Sequence, residues 1–300
     1  MPATSADLAL KSLKDFAGPI EKQLLEFLPT ASGMESQVID AMRYALLAGG
    51  KRLRPFLVMQ SAALFSIDDK HAFRVAAAIE CVHTYSLIHD DLPSMDDDEL
   101  RRGNPTTHIK YDEATAILAG DALLTLAFEI LSDEQTHPDA AVRCALISAL
   151  SRAAGAVGMV GGQMIDLKAE NQSLPQDEII RMQQMKTGAL IVFSCEAGAI
   201  LAKVNDERRV ALVKYADDIG LAFQIVDDLL DIEGNSEAIG KTAGKDIDAG
   251  KATLVSLMGA ENARAKAIEI THDAMIQMEC FGDKGTILSS LAMFVLKRAH

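Results

Sequence analysis

The 300-residue sequence contains no tryptophan, and aromatic residues make up only 5% of it. Ala, Leu, Met, Ile, Glu and Lys dominate instead, a mix that favours helix over strand. Cysteine is scarce: Cys81, Cys144, Cys195 and Cys280 stand far apart with no Cys-x-x-Cys among them. They read as small buried hydrophobes in a reducing cytosol. Positive charge is also short, since 29 Lys and Arg face 43 Asp and Glu, a formal net charge of −14. That balance argues against nucleic acid or an anionic membrane as the main partner. Met1 to Leu10 has neither a basic n-region nor an apolar h-region, so no signal peptide is expected. The apolar stretch Ala189 to Ala202 is broken by Glu196 and too short to span a bilayer. These absences describe a soluble cytoplasmic protein without membrane insertion.

Familiar catalytic patterns are missing too. There is no evident Ser-His-Asp set, no cysteine–histidine pair at meaningful spacing, and neither a P-loop lysine nor a Gly-x-Gly-x-x-Gly after a strand. No Pro/Ser/Gly linker or change of composition divides the chain. Its length alone suggests about two domains, and one large domain over 1–300 reads equally well. With 49% hydrophobic residues, burying a sizeable core is not in doubt.

What is present is an unusual concentration of acid. Six carboxylates lie between Asp90 and Glu99, and Arg101 and Arg102 follow directly. Like charges so close repel one another and should weaken a compact fold unless a counter-ion joins them. Hard oxygen ligands without nearby cysteine suit Mg²⁺ or Mn²⁺, and Mg²⁺ tends to take one or two carboxylates plus substrate phosphates. Arginine is shaped to hold phosphate oxygens bidentately. Asp90 and Asp96 do not align on a regular helix, yet Pro93 favours a bulge or helix end that lets them converge.

A second cluster, Asp227-Asp228-Leu229-Leu230-Asp231, follows the apolar run from Leu221. Asp227 and Asp231 share a helix face with Asp228 beside them. A lone acidic cluster reads equally as a solvated helix end; two clusters after apolar helices do not. Together they suit one diphosphate held through about three Mg²⁺ ions and ligated from both sides. Departure of that diphosphate leaves a carbocation, which needs exclusion of water rather than a protein nucleophile.

Helical periodicity organises the rest. Leu8 to Phe27 is a helix that Gly18-Pro19 is expected to interrupt. Met34 to Ala48 ends at Gly49-Gly50. Lys51-Arg52-Leu53-Arg54 then leads to Pro55 in the first turn of a new helix, where free N–H groups attract anions; the stretch also reads as a solvated basic turn. Ala72 to His89 feeds the first acidic cluster. His83 lies two turns before Asp90 and reads equally as a ligand contact or a core residue. Tyr85, five residues before Asp90 and about 7.5 Å deeper along the axis, is placed to floor a cavity opening at the aspartates.

Gly103-Asn104-Pro105 reads as a turn and Tyr111 to Leu131 as a helix. Val142 to Ala169 reads as one helix whose glycines suggest close packing or room for a ligand. The next helix runs from Gln176 to Ala202 and contains Lys186-Thr187-Gly188, where the lysine reads either as part of the site or as snorkelling. Gly234 to Gly250, with Lys241 and Lys245 and with Lys251 just beyond, reads either as a loop able to close over a phosphate or as an ordinary mobile surface loop. Terminal helices broken at Gly282 to Gly285 complete the chain.

With these segments in order, the sequence resembles the bacterial farnesyl diphosphate synthases of the short-chain trans-isoprenyl diphosphate synthase family. The resemblance rests on Gly49-Gly50-Lys51-Arg52-Leu53-Arg54-Pro55, the first aspartate motif with Arg101-Arg102-Gly103, Gly161-Gly162-Gln163, Lys186-Thr187-Gly188, Phe223-Gln224 and the second aspartate motif. It covers nearly the whole chain. It implies an all-α single-domain bundle of about ten helices around a central cavity, usually a homodimer. The implied reaction joins isopentenyl diphosphate to dimethylallyl and then geranyl diphosphate. By matching positions, Asp90, Asp91, Asp96, Asp227, Asp228 and Asp231 hold Mg²⁺, directly or through water. Lys51, Arg54, His83 and Arg102 bind isopentenyl diphosphate, and Arg101, Lys186, Thr187, Gln224, Lys241 and Lys251 grip the allylic diphosphate.

An aromatic residue where Tyr85 stands limits product length in the family, which implies the C15 product. The alternatives are geranylgeranyl or geranyl diphosphate synthesis and, from a different class, an inactive relative acting as a binding partner. A terpene cyclase usually carries an Asn/Ser/Glu metal motif that Asp227 to Asp231 does not match.

Overall fold

The structure, a computed structural model, describes residues 5–169, 174–232 and 254–297. The loop expected at 234–250, Lys241, Lys251 and the side chain of Asp231 lie outside the described residues. The chain is 79% helical, with about ten to twelve helices besides the single-turn segments, as expected of an all-α protein. In order these are α1 (Ser5–Phe27), α2 (Ser36–Leu46), α3 (Leu53–Leu64), α4 (Asp69–Asp90), the single turn α5 (Thr107–Lys110), α6 (Glu113–Ser132), α7 (Ala140–Ala154) and α8 (Met159–Ala169). They continue with α9 (Gln176–Gln183), a π-helical turn (Gln184–Gly188), α10 (Ala189–Leu201), α11 (Glu207–Ile232), the short α12 (Leu254–Met258), α13 (Ala260–Gln277), a 3₁₀ stretch (Glu279–Gly285) and α14 (Thr286–Lys297).

Local chemistry sets several of the helix starts. The carboxylates of Asp68, Asp112 and Asp139 accept from the backbone N–H of Lys70, Thr115 and Ala141, which caps α4, α6 and α7. The fold is centred on α10, whose Leu190, Ile191, Phe193, Cys195 and Ala197 are fully buried. It packs against α3, α4, α7 and α11. Small residues Ala76, Ala77 and Ala78 let α4 lie close to its neighbours α3 and α6. On the other side α11 packs along α13 and α14.

Four expectations need correction. α1 runs unbroken through Gly18-Pro19; both residues face solvent, a position from which water can reach the carbonyl that proline leaves unbonded. The single helix expected over 142–169 is two, separated by the turn at Gly155 to Gly158. Gly103 to Pro105 is not the turn. The turn is Arg102-Gly103, between strands β1 (Leu100–Arg101) and β2 (Asn104–Pro105), with both turn residues left-handed at φ 55° and 80°. Cys81 and Cys195 are buried, and burial pushes the Cys81 thiol up to about 12, but Cys144 and Cys280 are exposed.

Glu113–Ser132 and Ala140–Ala169, rather than Ala189 to Ala202, are the stretches long and apolar enough to cross a bilayer. Half of the first is buried where α6 packs along α4, and the second is broken by the turn between α7 and α8.

One charged group within α11 opposes folding. Asp218 is half-buried, and its Oδ2 is enclosed without a hydrogen-bond partner. Burial pushes its carboxyl up to about 6, with Lys214 and Lys266 drawing it down and Asp273 and Asp217 pushing it up. The folded value lies above the unfolded one, so folding takes up a proton and the penalty is present above pH 6 and absent below pH 3.8. Screening of a half-buried group leaves about 1 kcal/mol. Asp218→Asn is therefore expected to stabilise the protein by that amount at pH 8 and by nothing at pH 4, as read by urea denaturation at the two pH values.

Candidate active site

The first acidic cluster sits where α4 ends. Pro93 stops the helix, and the chain folds back through Met95 N–H to the Leu92 carbonyl (2.9 Å) and Asp97 N–H to the same carbonyl (3.2 Å). Asp96 N–H donates to the Asp90 carbonyl (2.9 Å) and Asp98 N–H to that of Asp91 (3.2 Å). Asp97, left-handed at φ 48°, makes the reversal possible. Asp90 and Asp96 thus become spatial neighbours although six residues apart, as Pro93 suggested.

Asp91 goes another way. It is 3% exposed, and Arg101 Nε donates to both its oxygens (2.7 and 2.9 Å), with Nη2 at 2.5 Å. The residues assigned above to a cation and to a diphosphate are engaged with each other. The hairpin turn next sends Arg102 back to the Gly49 carbonyl. Gly50, at φ 125°, takes a backbone conformation that L side chains rarely adopt, and the Arg102 guanidinium lies over its bare Cα.

That contact brings the basic segment into place. Lys51 is exposed, while Arg52 is 3% exposed and points inward. Its Nη1 donates to Glu80 (2.6 Å), and its Nη2 to Glu21 (2.9 Å) and the Leu46 carbonyl (2.6 Å). Arg54 turns instead toward α4, where its Nη1 lies 3.5 Å from His83 Nε2. Burial pushes the Arg54 guanidinium down to about 10, Glu80 holds it up and Arg102 lowers it further, so it stays cationic at neutral pH. Burial, then Arg54, Arg102, Arg101 and Arg52, hold His83 well below the usual imidazole range. His83 is thus a neutral, half-buried ring among guanidiniums. Among the described residues, neither Arg54 nor Arg102 has a carboxylate at ion-pair distance. Two neighbouring guanidiniums with no carboxylate in contact suit an added anion.

The second acidic segment lies near the end of α11, with Phe223, Gln224, Asp227 and Asp228 half-buried. Gln183 Nε2 donates to Asp228 Oδ2 (3.4 Å), linking α9 to α11. Lys186 does not snorkel. Its Nζ is held by Asp166 Oδ2 of α8 at 2.6 Å. Lys186 and Thr187 ride on the π-helical turn, a feature frequent at functional sites. Gly162 explains the close approach of α8, since a Cβ there would strike the Lys186 backbone.

Tyr85 is 7% exposed, and its ring meets that of His89 edge-on at 5.7 Å. His89 Nε2 is 3.1 Å from the Ile117 carbonyl, in a space that exists because Gly120 of α6 has no Cβ. Glu80 and Gln183 were not singled out from sequence. A charged residue inside the apolar run Ala76 to Val82 was the available signal for Glu80.

Among the described residues no three His, Cys, Asp or Glu side chains converge into a ready-made metal cage. Asp90 and Asp96, half-buried and brought close by the turn, supply hard oxygen donors. That donor set fits Mg²⁺, which is commonly bound by one or two carboxylates and completed by phosphate oxygens and water.

The family profile described as polyprenyl synthetase matches residues 35–288. The chain is 44% identical over 280 residues to the farnesyl diphosphate synthase of Escherichia coli strain K12, covering 92% of this chain and 94% of that one. It is 40% identical over 280 residues to the geranylgeranyl diphosphate synthase of Cyanophora paradoxa, with 93% of each covered. The crystal structure of an FPP/GFPP synthase from Zymomonas mobilis has a TM-score of 0.88 and 47% identity, covering 97% of this chain and 99% of that one.

Proposed function

Because this chain belongs to the polyprenyl synthetase family, and is thereby a trans-prenyltransferase of isoprenoid biosynthesis, we propose that it makes (2E,6E)-farnesyl diphosphate. It does so by condensing isopentenyl diphosphate with dimethylallyl and then geranyl diphosphate. The family generally uses Mg²⁺, and about three ions per site is part of this proposal. The observation that carries the reading lies on one helix. Near His83, α4 meets the guanidiniums of Arg54 and Arg102, neither with a carboxylate at ion-pair distance among the described residues; two turns on, about 10 Å along the axis, it ends in the turn where Asp96 N–H reaches the Asp90 carbonyl. An anion is held directly at one place and through cations at the other. Two diphosphates need those two differently built sites.

In this reading Lys51, Arg54, His83 and Arg102 hold isopentenyl diphosphate. Asp90 and Asp96, with Asp227, Asp228 and Asp231, would hold Mg²⁺, which when bound stabilises charge on the leaving diphosphate. Lys186, Thr187, Gln224 and Arg101 grip that diphosphate, and Lys241 and Lys251 join them; Asp91 enters by aiming Arg101. The allylic C–O bond ionises, the isopentenyl alkene attacks the cation, and a proton leaves to the released diphosphate. The apolar walls keep water from the cation. One incubation with isopentenyl and dimethylallyl diphosphates and Mg²⁺ tests this, with diphosphate release and a C15 product expected. No diphosphate release overturns it. A C20 product would favour the second reading, which the Cyanophora paradoxa relative supports.

The homodimer belongs to the same proposal. Ile117 and Leu118 of α6 are 44% and 57% exposed, an apolar surface suited to a second copy. Ile117→Asp with Leu118→Asp is expected to reduce the particle from the mass of two chains to that of one, by sedimentation. An unchanged mass would reject this face.

A further inference from the structure

Behind the guanidinium cluster lies a pair that faces away from any ligand. Glu80 is 3% exposed on α4, one turn before His83. It takes Arg52 Nη1 at 2.6 Å, while Arg52 Nη2 reaches Glu21 of α1 and the last carbonyl of α2. Arg52 thereby ties three helices to the start of α3. It does so at φ 50°, a conformation a non-glycine residue keeps only when its surroundings enforce it. This twist separates the three cations of the segment: Arg52 goes in, Lys51 is left outside, and Arg54 is set beside His83.

Glu80 also acts beyond its partner. Arg54 and Arg102 both sense its charge, and neither has a carboxylate of its own at ion-pair distance among the described residues. Asp91, the other buried carboxylate of the region, is engaged with Arg101. Remove the Glu80 charge, and the guanidiniums of Arg52, Arg54 and Arg102 repel one another with less to hold them.

We propose that the buried Arg52–Glu80 pair is the positioning device of the isopentenyl diphosphate subsite, fixing Lys51, Arg54 and Arg102 where they meet the diphosphate without touching it. This rests on the roles given above to Lys51, Arg54, His83 and Arg102. Selectivity distinguishes it from a pair that merely stabilises the fold. The pair lies behind one diphosphate site and is anchored on α1, α2 and α4. The other site has its own supports, Asp166 for Lys186 and Gln183 for Asp228.

The test measures both KM values, kcat and the melting temperature for Glu80→Gln, Glu80→Asp, Arg52→Lys and Arg54→Ala. Glu80→Gln keeps the shape and removes the charge. It is expected to raise KM for isopentenyl diphosphate by about 10-fold while the allylic KM stays within about twofold. Arg52→Lys, which loses the fork, should show the same split, and Glu80→Asp should recover most of the loss. Equal changes in both KM values, or none, in folded Glu80→Gln overturn the proposal. So does loss of folding in both Glu80→Gln and Arg52→Lys, which would make the pair a stabilising element alone. Arg54→Ala separates the premise from the inference. If it leaves KM for isopentenyl diphosphate unmoved, the subsite reading itself fails. If it raises that KM while Glu80→Gln does not, only the positioning role falls.

Discussion

Asp90→Asn is expected to lower kcat for condensation by about 10³-fold while the protein melts no earlier than wild type in Mg²⁺-free buffer. The two effects have opposite signs for one reason. Asp90 closes α4 within a run of six carboxylates, and when no cation is bound its charge adds to their mutual repulsion, set against the attraction of Arg101. The turn that gathers the cluster uses the Asp90 carbonyl, which accepts from Asp96 N–H at 2.9 Å, and an asparagine keeps that bond. Catalysis has no such substitute. Losing one preorganised electrostatic contact to a leaving group commonly costs 10²–10³ in kcat, about 3–4 kcal/mol. The measurement is diphosphate release at saturating substrates beside a thermal melt with and without Mg²⁺. A loss under 10-fold would place Asp90 outside the ionisation site. A melt several degrees lower without Mg²⁺ would mean that the carboxylate serves the fold.

That contrast also explains what the sequence made legible. The acidic runs stood out because their cost is local: adjacent like charges are visible without a fold. Pro93 made the convergence of Asp90 and Asp96 legible for the same reason, since the helix must stop near it. The three cations Lys51, Arg52 and Arg54 were harder. Which of them turns inward depends on Glu80 and Glu21, 28 and 31 residues away, and on a left-handed residue that alternation does not signal.

Glycines were ambiguous in another way. Gly155 and Gly158 break a helix, whereas Gly162, four residues on, sits inside one so that α8 can approach Lys186. One residue type serves both ends, and periodicity cannot separate them. The π-helical turn was invisible too. One extra residue per turn leaves the apolar spacing from Gln176 to Ala202 nearly intact, yet it sets the direction of Lys186 and Thr187.

Tyr85→Ala is expected to move the main product from C15 to C20 or beyond, with kcat/KM for dimethylallyl diphosphate within a few-fold of wild type. The depth argument comes from helix geometry. Tyr85 precedes Asp90 by five residues, about 7.5 Å along α4, so a chain growing inward from the carboxylates meets its ring. The ring is not free to step aside. It is 7% exposed and backed by His89, which is in turn fixed at the Ile117 carbonyl in the space left by Gly120. Truncation therefore opens room that neighbouring side chains cannot refill, at a stability cost of about 3 kcal/mol. The residues proposed to hold both diphosphates are untouched, which is why the first condensation should persist. Tyr85→Phe keeps the ring and should keep the C15 product, separating bulk from the hydroxyl. Chain-length analysis of the three proteins decides the matter: if Tyr85→Ala still stops at C15, the floor of the pocket lies elsewhere, and the helix that carries the aspartates does not also measure the product.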